Sequence, residues 1–512
     1  MTRNALNSTG PLAGAFTALV LMAAAPALAN PGAAACTDLA KAAFPHTALA
    51  SAKEIPASDS TKTPAFCEVT GVVSPVADSH IQVVYRLPDD WNGKLLGLGG
   101  GGWAGNTRLE TAAPGLAKGY ATAQTDAGHS STSVWDTSWA ASQAEVDDFA
   151  HRAIHLMTST GKSVLAKYYG QAQKRAYFQG CSTGGRQALM EVQRYPDDYD
   201  GVISGAPVYT LTTQTMALLR SQAFSQPGAS LSEAAATRLN DAVLAACDTK
   251  DGIEDGIITD PRSCKFDPAV IQCKPGESDG KCLTPAQVTA VRTVYAGVKA
   301  PDGEYASFPL SRGSEGGWSR FIATDKPADQ TALATTAAGA GLGGLVPRLF
   351  GVASFDLTRF SAAHDFATVR KSAFAKEYEA KSSNIGPFFE HGGKLILWHG
   401  FDDPGPSPLA TIEYYQKVEK ATGAAANSDL RFYLLPGVYH CRGGPGADQF
   451  DSLAAIDAWV DQGKAPETLL ATRADHKLSR PLCRYPALPH YKGGGDPRSA
   501  ESFECRAPGE GG

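Results

Sequence analysis

The stretch Tyr177-Phe-Gln-Gly-Cys-Ser-Thr-Gly-Gly-Arg-Gln187 places Ser182 between two glycines, Gly180 and Gly184, after an apolar run and before a helix-compatible segment. G-x-S-x-G is a cheap pattern in a chain with 53 glycines. Context gives it weight. A strand that ends at the serine and a helix that starts just after it form a sharp turn, which lifts the hydroxyl above the edge of a parallel sheet. The helix start also aims backbone N–H groups at negative charge developing beside it. A tight turn without chemistry shares this local pattern, so the partners that a nucleophile requires must decide.

The surroundings alternate between strands and helices. His80–Pro88 and Lys94–Gly105 read as strands, the second running into the glycine-rich loop Gly99–Gly105. Gly119–His129 reads as a strand and loop, Glu145–Tyr169 as a helix, Gly184–Arg194 as a helix and Asp200–Val208 as a buried strand. This rhythm predicts an α/β domain on a mostly parallel sheet. It stops near Val208 and resumes with the strand Gly392–Gly400, a helix around Leu409–Thr422 and the strand Leu430–Gly437. The expected organisation is a core in two parts, residues 30–208 and 390–512. The insertion between them, residues 209–389, is placed to cover the carboxyl edge of the sheet, where such folds bind ligands.

Composition excludes other classes. A net charge of -6 and a pI near 6.0 give no basic field, so nucleic acid is not an expected partner. Arg3, the apolar stretch Leu12–Ala29 and the ending Ala27-Leu28-Ala29 describe a cleavable secretory signal over residues 1–29. Gly14, Thr17 and Pro26 interrupt that stretch, which falls short of the ~20 residues of a membrane span. Export to the periplasm or beyond is expected, with no membrane partner. In an oxidising compartment ten cysteines read as disulfides. Local pairs are Cys36–Cys67, Cys247–Cys264, Cys273–Cys282 and Cys483–Cys505, which leave Cys181 and Cys441.

A serine nucleophile needs a base, and the base an orienting carboxylate, in the chain order Ser, acid, His. Asp402 and Asp403 follow one late strand, and His440 follows the next. Other histidines fit less well: His151 and His155 lie one helical turn apart, His399 reads as shaping the aspartate loop, and His129 sits near the same sheet edge. If Ser182 and His440 meet, their neighbours Cys181 and Cys441 come close to the roughly 4.4–6.8 Å between Cα atoms that a disulfide requires. Such a bridge would fasten the base loop to the turn.

Gly180-Cys-Ser-Thr-Gly-Gly-Arg-Gln187 together with Tyr439-His440-Cys441 resembles the tannase and feruloyl esterase family, which includes hydrolases of mono(2-hydroxyethyl) terephthalate. The resemblance runs from about Cys36 to Cys505. It implies an α/β-hydrolase fold with a large inserted lid domain, the Cys181–Cys441 bridge, and Asp403 rather than Asp402 as the acid of a His-Gly-x-x-Asp pattern. The catalytic set is then Ser182, Asp403 and His440.

The N–H after the nucleophile belongs to Thr183, and a second donor comes from the glycine-rich loop, where Gly101 and Gly102 both qualify and Gly102 is preferred. Cys247–Cys264 also encloses Asp248, Asp251 and Asp255, which read equally as Asp-Gly turns or as oxygen ligands. The resemblance implies a structural Ca²⁺ held by these three carboxylates and the carbonyls of Ile253 and Ile257.

The expected activity is therefore a secreted serine carboxylesterase acting on small aromatic esters, with feruloyl or hydroxycinnamoyl groups favoured over galloyl or terephthaloyl. A calcium-stabilised binding protein on a degenerate hydrolase fold is the competing reading, distinguished by failure of Ser182 to react with a fluorophosphonate. Trp318, Phe321 and Phe350 are candidate ring contacts, and Arg320 and Arg348 candidate carboxylate partners.

Overall fold

The computed structural model describes residues 1–2, 32–131, 133–277 and 281–507. The signal-like segment ending at Ala29 lies outside the described residues.

Nine strands build one sheet: β1 Thr47–Ile55, β2 Phe66–Val73, β3 Ile81–Pro88, β4 Lys94–Leu98, β5 Ala121–Thr125, β6 Arg175–Cys181, β7 Gly201–Gly205, β8 Lys394–Gly400 and β9 Leu430–Leu435. Their order is β1-β2-β3-β5-β4-β6-β7-β8-β9. The pairs from β5 to β9 are parallel, and those joining β1, β2, β3 and β5 are antiparallel. This is an α/β-hydrolase fold. β7 is buried throughout and β8 nearly so, as expected of parallel strands covered on both faces. The antiparallel β1 and β2 alternate more exposed with more buried positions, as half-covered strands do.

Helices α1 Ala153–Tyr169, α2 Thr183–Arg194, α3 Thr212–Phe224, α4 Pro408–Thr422 and α5 Ser452–Gln462 organise the layers. The single helix expected over Glu145–Tyr169 is broken. A short helix, Gln143–Asp147, and a π-helical turn, Asp148–Arg152, precede α1. Asp148 is buried there, accepting from Ser79 at 2.6 Å and Arg152 at 2.6 Å, which holds the turn in its widened form.

Between β7 and β8 the chain adds no strand to the main sheet; α3 lies there, with other helices, short 3₁₀ turns and the hairpin Val298–Lys299/Tyr305–Ser307. A separate apolar cluster runs through this insertion, centred on Phe224, Val291, Tyr295 and Trp318. After β9 come two small antiparallel pairs, Thr468–Thr472 with Ser479–Cys483 and Leu488–Tyr491 with Phe503–Arg506. All five expected disulfides are formed. Among the described residues no helix is long and apolar enough to cross a membrane.

Candidate active site

Ser182 stands between β6 and α2 with φ 63° and ψ −122°, a conformation that costs an ordinary residue of order 1–3 kcal/mol. Its backbone is pinned on three sides: its N–H donates to Gly205 O at 3.0 Å, and its carbonyl accepts from Arg186 at 3.0 Å and Val208 at 3.1 Å. Gly180 is required because a Cβ there would lie 2.4 Å from the Gly184 backbone.

The end of β8 leads into the acid loop. Asp403 is fully buried. Its Oδ2 meets His440 Nδ1 at 2.7 Å and His399 Nε2 at 3.1 Å, while its Oδ1 accepts from the Gly405 N–H at 2.7 Å. Burial alone would raise its pKa, but the charge of His440 and hydrogen bonds from His399 and His440 hold it down at about 2. Asp402 points elsewhere. It is buried, its Oδ1 lacks a partner, and burial together with the nearby carboxylate of Glu315 pushes its pKa well up. The structure thus separates two adjacent aspartates by environment, one ionised against imidazoles and one favouring its proton.

Ser182 and His440 line one pocket with Gly102, Trp103, Trp135, Thr183, Arg220, Phe321 and residues 404–406. Cys181 and Cys441, the neighbours of the pair, are bridged with Cα atoms 6.0 Å apart. Thr183 opens α2, so its N–H has no acceptor within the helix. Gly101 donates its N–H to Ala104 O at 3.2 Å, which leaves Gly102 the better placed of the two loop candidates. Gly102 has φ +60°, and a Cβ there would lie 2.5 Å from Val134 O.

The other expected residues divide. Phe321 lies edge-on to His440, ring centroids 5.0 Å apart. Trp318 is instead buried within the insertion against Phe224 and Tyr295, and Phe350 stacks on Phe355. Arg348 donates to Ala140 O, Ala141 O and Gln143, and Arg320 lies over the Tyr439 ring; neither lines the pocket. His129 is packed against Trp139 and Phe149, with burial lowering its pKa, and does not line the pocket. His399 holds the acid loop from within, with its other nitrogen on Thr411 Oγ1 at 2.8 Å. His151 and His155 bond Tyr195 and Asp198 instead of converging on one point. Nothing local in the sequence marks the pocket members Trp135 and Arg220, which reach the site from distant segments.

In the Cys247–Cys264 loop the three aspartates fold back on their own backbone. Asp248 accepts from Gly256 N–H at 2.9 Å, Asp251 from Ile253 N–H at 3.2 Å, and Asp255 from Ile257 N–H at 3.1 Å. Asp248 Oδ1 is buried without a partner. Burial raises the pKa of Asp251 and Asp255, and neighbouring carboxylates add to it. Arg480 pairs with Asp255. Hard oxygens, an unsatisfied carboxylate atom and mutual repulsion are what a cation would answer, while the three carboxylates as they stand do not gather within 4.8 Å of one another.

Residues 67–506 match the model of the family described as tannase and feruloyl esterase. A probable feruloyl esterase of Arthroderma benhamiae is 34% identical, over 83% of this chain and 82% of its own. A mono(2-hydroxyethyl) terephthalate hydrolase of Piscinibacter sakaiensis is 30% identical, over 87% of this chain and 85% of its own. The crystal structure of feruloyl esterase B from Aspergillus oryzae matches with a TM-score of 0.83 at 26% identity, covering 93% of this chain and 100% of that one. The chain therefore belongs to the tannase and feruloyl esterase family and is a carboxylic ester hydrolase.

Proposed function

We propose that the chain is an exported serine esterase that cleaves small esters of aromatic acids, feruloyl or hydroxycinnamoyl esters first among them. The observation that carries this reading is one pocket shared by a strained Ser182 and a His440 oriented by buried Asp403. In the proposed cycle His440 takes the Ser182 proton and the alkoxide attacks the ester carbonyl. The N–H groups of Thr183 and Gly102 receive the oxyanion, and His440 returns the proton to the leaving alcohol. Water then attacks the acyl-enzyme by the same route. Asp403, already ionised, fixes the imidazole and stabilises its charged form.

The acyl side suits a flat ring. Trp103, Trp135, Phe321, Val208 and Pro406 supply apolar walls, with Thr213, Gln214 and Arg220 as polar exceptions. Export is supported by the five disulfides and the signal-like N-terminus. Asp248, Asp251 and Asp255, with the carbonyls of Ile253 and Ile257, would hold a Ca²⁺ that supplies structural neutralisation and no chemistry.

Hydrolysis rates for methyl ferulate, methyl gallate, chlorogenate and mono(2-hydroxyethyl) terephthalate test the substrate class. Turnover is expected to be fastest for a hydroxycinnamoyl ester. Fastest turnover of gallate or terephthalate would move the assignment within the family, and no turnover of any of the four would remove the aromatic acyl group from the account.

A further inference from the structure

Arg220, on α3, is a buried cation that the catalytic cycle above leaves unused. It is 2% exposed. Nη1 donates to the carbonyls of Pro404 and Gly405, each at 2.9 Å, and Nη2 to Phe308 O at 3.1 Å and Met216 Sδ at 3.4 Å. Among the described residues Nε has no partner. Neutral acceptors take up its Nη hydrogens but do not balance its charge, and an unbalanced buried charge is costly. The anion whose field offsets it is Asp403. Burial pushes the Arg220 pKa down to about 9 against that field, so the side chain is still charged at neutral pH.

Two of its acceptors belong to the residues that directly follow the acid. Gly405 donates its N–H to Asp403 Oδ1 while its carbonyl receives Arg220. Arg220 therefore grips, from the insertion, the same residue that grips the carboxylate from the core.

We propose that Arg220 is a positioning residue for catalysis: it fixes the Pro404–Gly405 turn beneath Asp403, and its buried positive charge sets the protonation balance of the Asp403–His440 pair. This rests on the serine-esterase reading of Ser182 and His440. Charged and titratable groups packed around that pair are few. His399 and Asp403 come from β8 and its loop. Arg320 lies over Tyr439, and Asp402 and Glu315 both act on the Tyr439 hydroxyl. Phe321 brings no charge. Removing Arg220 takes away a buried positive charge that disfavours a further proton on the pair.

The test compares wild type with Arg220→Met and Arg220→Lys in the full calcium-loaded chain. kcat and KM for p-nitrophenyl acetate are measured across about pH 5 to 9. Arg220→Met is expected to lower kcat by ~10–100-fold with KM changed less than about threefold, and to move the acid limb of kcat/KM upward by about half a pH unit or more. Arg220→Lys keeps the charge and loses the two-carbonyl fork, so its acid limb stays in place while kcat falls by an intermediate factor. If Arg220→Met does not fold, Arg220→Gln, which is also neutral and retains an amide donor, carries the same expectation. Superimposable acid limbs in wild type and the neutral variant, or a loss seen only in melting temperature, would overturn the proposal. Failure of the underlying reading looks different: wild-type Ser182 would then not react with a fluorophosphonate at all.

Discussion

Asp403 and Asp402 are neighbours in sequence with opposite environments, and the difference lies in what each carboxylate meets. Asp403 meets two imidazoles and a backbone N–H; Asp402 meets the Glu315 carboxylate and the Gly437 backbone, with its Oδ1 buried and unpaired among the described residues. An acid whose folded pKa is depressed adds stability above its unfolded value of ~3.9, and that stability is lost as pH falls through the folded value of about 2. Asp403 is thus ionised throughout any practical pH range, and loss of activity well above its folded value does not come from this carboxylate. Asp403→Asn keeps the shape and removes the charge. We expect kcat to fall by ~10³–10⁴-fold with KM little changed, while Asp402→Asn, measured beside it, falls by less than about tenfold. Equal losses in both variants would mean that the two environments do not divide the roles.

At the scale of elements, the β6–Ser182–α2 turn and the loop after β9 are joined by Cys181–Cys441, which closes a separation of 260 residues. A crosslink over so long a loop removes much unfolded-state entropy, on the order of 2–5 kcal/mol. It also limits drift between Ser182 and His440. Replacing both cysteines by alanine should lower the melting temperature and reduce kcat, while Ser182 still reacts with a fluorophosphonate; loss of that labelling in a folded variant would give Cys181 a more direct part. These elements were legible in sequence because glycines, a strand, a helix and paired cysteines leave local marks. The pocket walls were not. Trp318 and Phe350 carry the same aromatic signal as Phe321, but two of the three are satisfied inside the insertion, and spacing cannot tell a ring facing its own core from one facing a cleft. The π turn at Asp148–Arg152 was hidden for a similar reason, since the Ser79 that anchors it lies 69 residues away.

For the whole molecule, the sheet, the insertion and the C-terminal hairpins meet around the Cys247–Cys264 loop, where Arg480 of a C-terminal strand pairs with Asp255. Three carboxylates in one loop repel beyond what Arg480 alone offsets, so the proposed Ca²⁺, if bound there, would stabilise the folded chain by mass action. Chelation is expected to lower the melting temperature by several degrees and restoring Ca²⁺ to recover it. Asp251→Asn should shrink that difference, and an unchanged melting curve on chelation would argue against the ion. The long stretch between the paired strands β7 and β8 was legible as a broken strand–helix rhythm. The edge strand β1 was not, because its alternation is only partly apolar: in Thr47-Ala-Leu-Ala-Ser-Ala-Lys-Glu-Ile55, only Ala52 is buried. The proposed role of Ser182 as nucleophile is decided by kcat for p-nitrophenyl acetate in Ser182→Ala beside wild type, both verified as folded by their melting curves. A fall of at least ~10³-fold is expected; hydrolysis within tenfold of wild type would contradict that role.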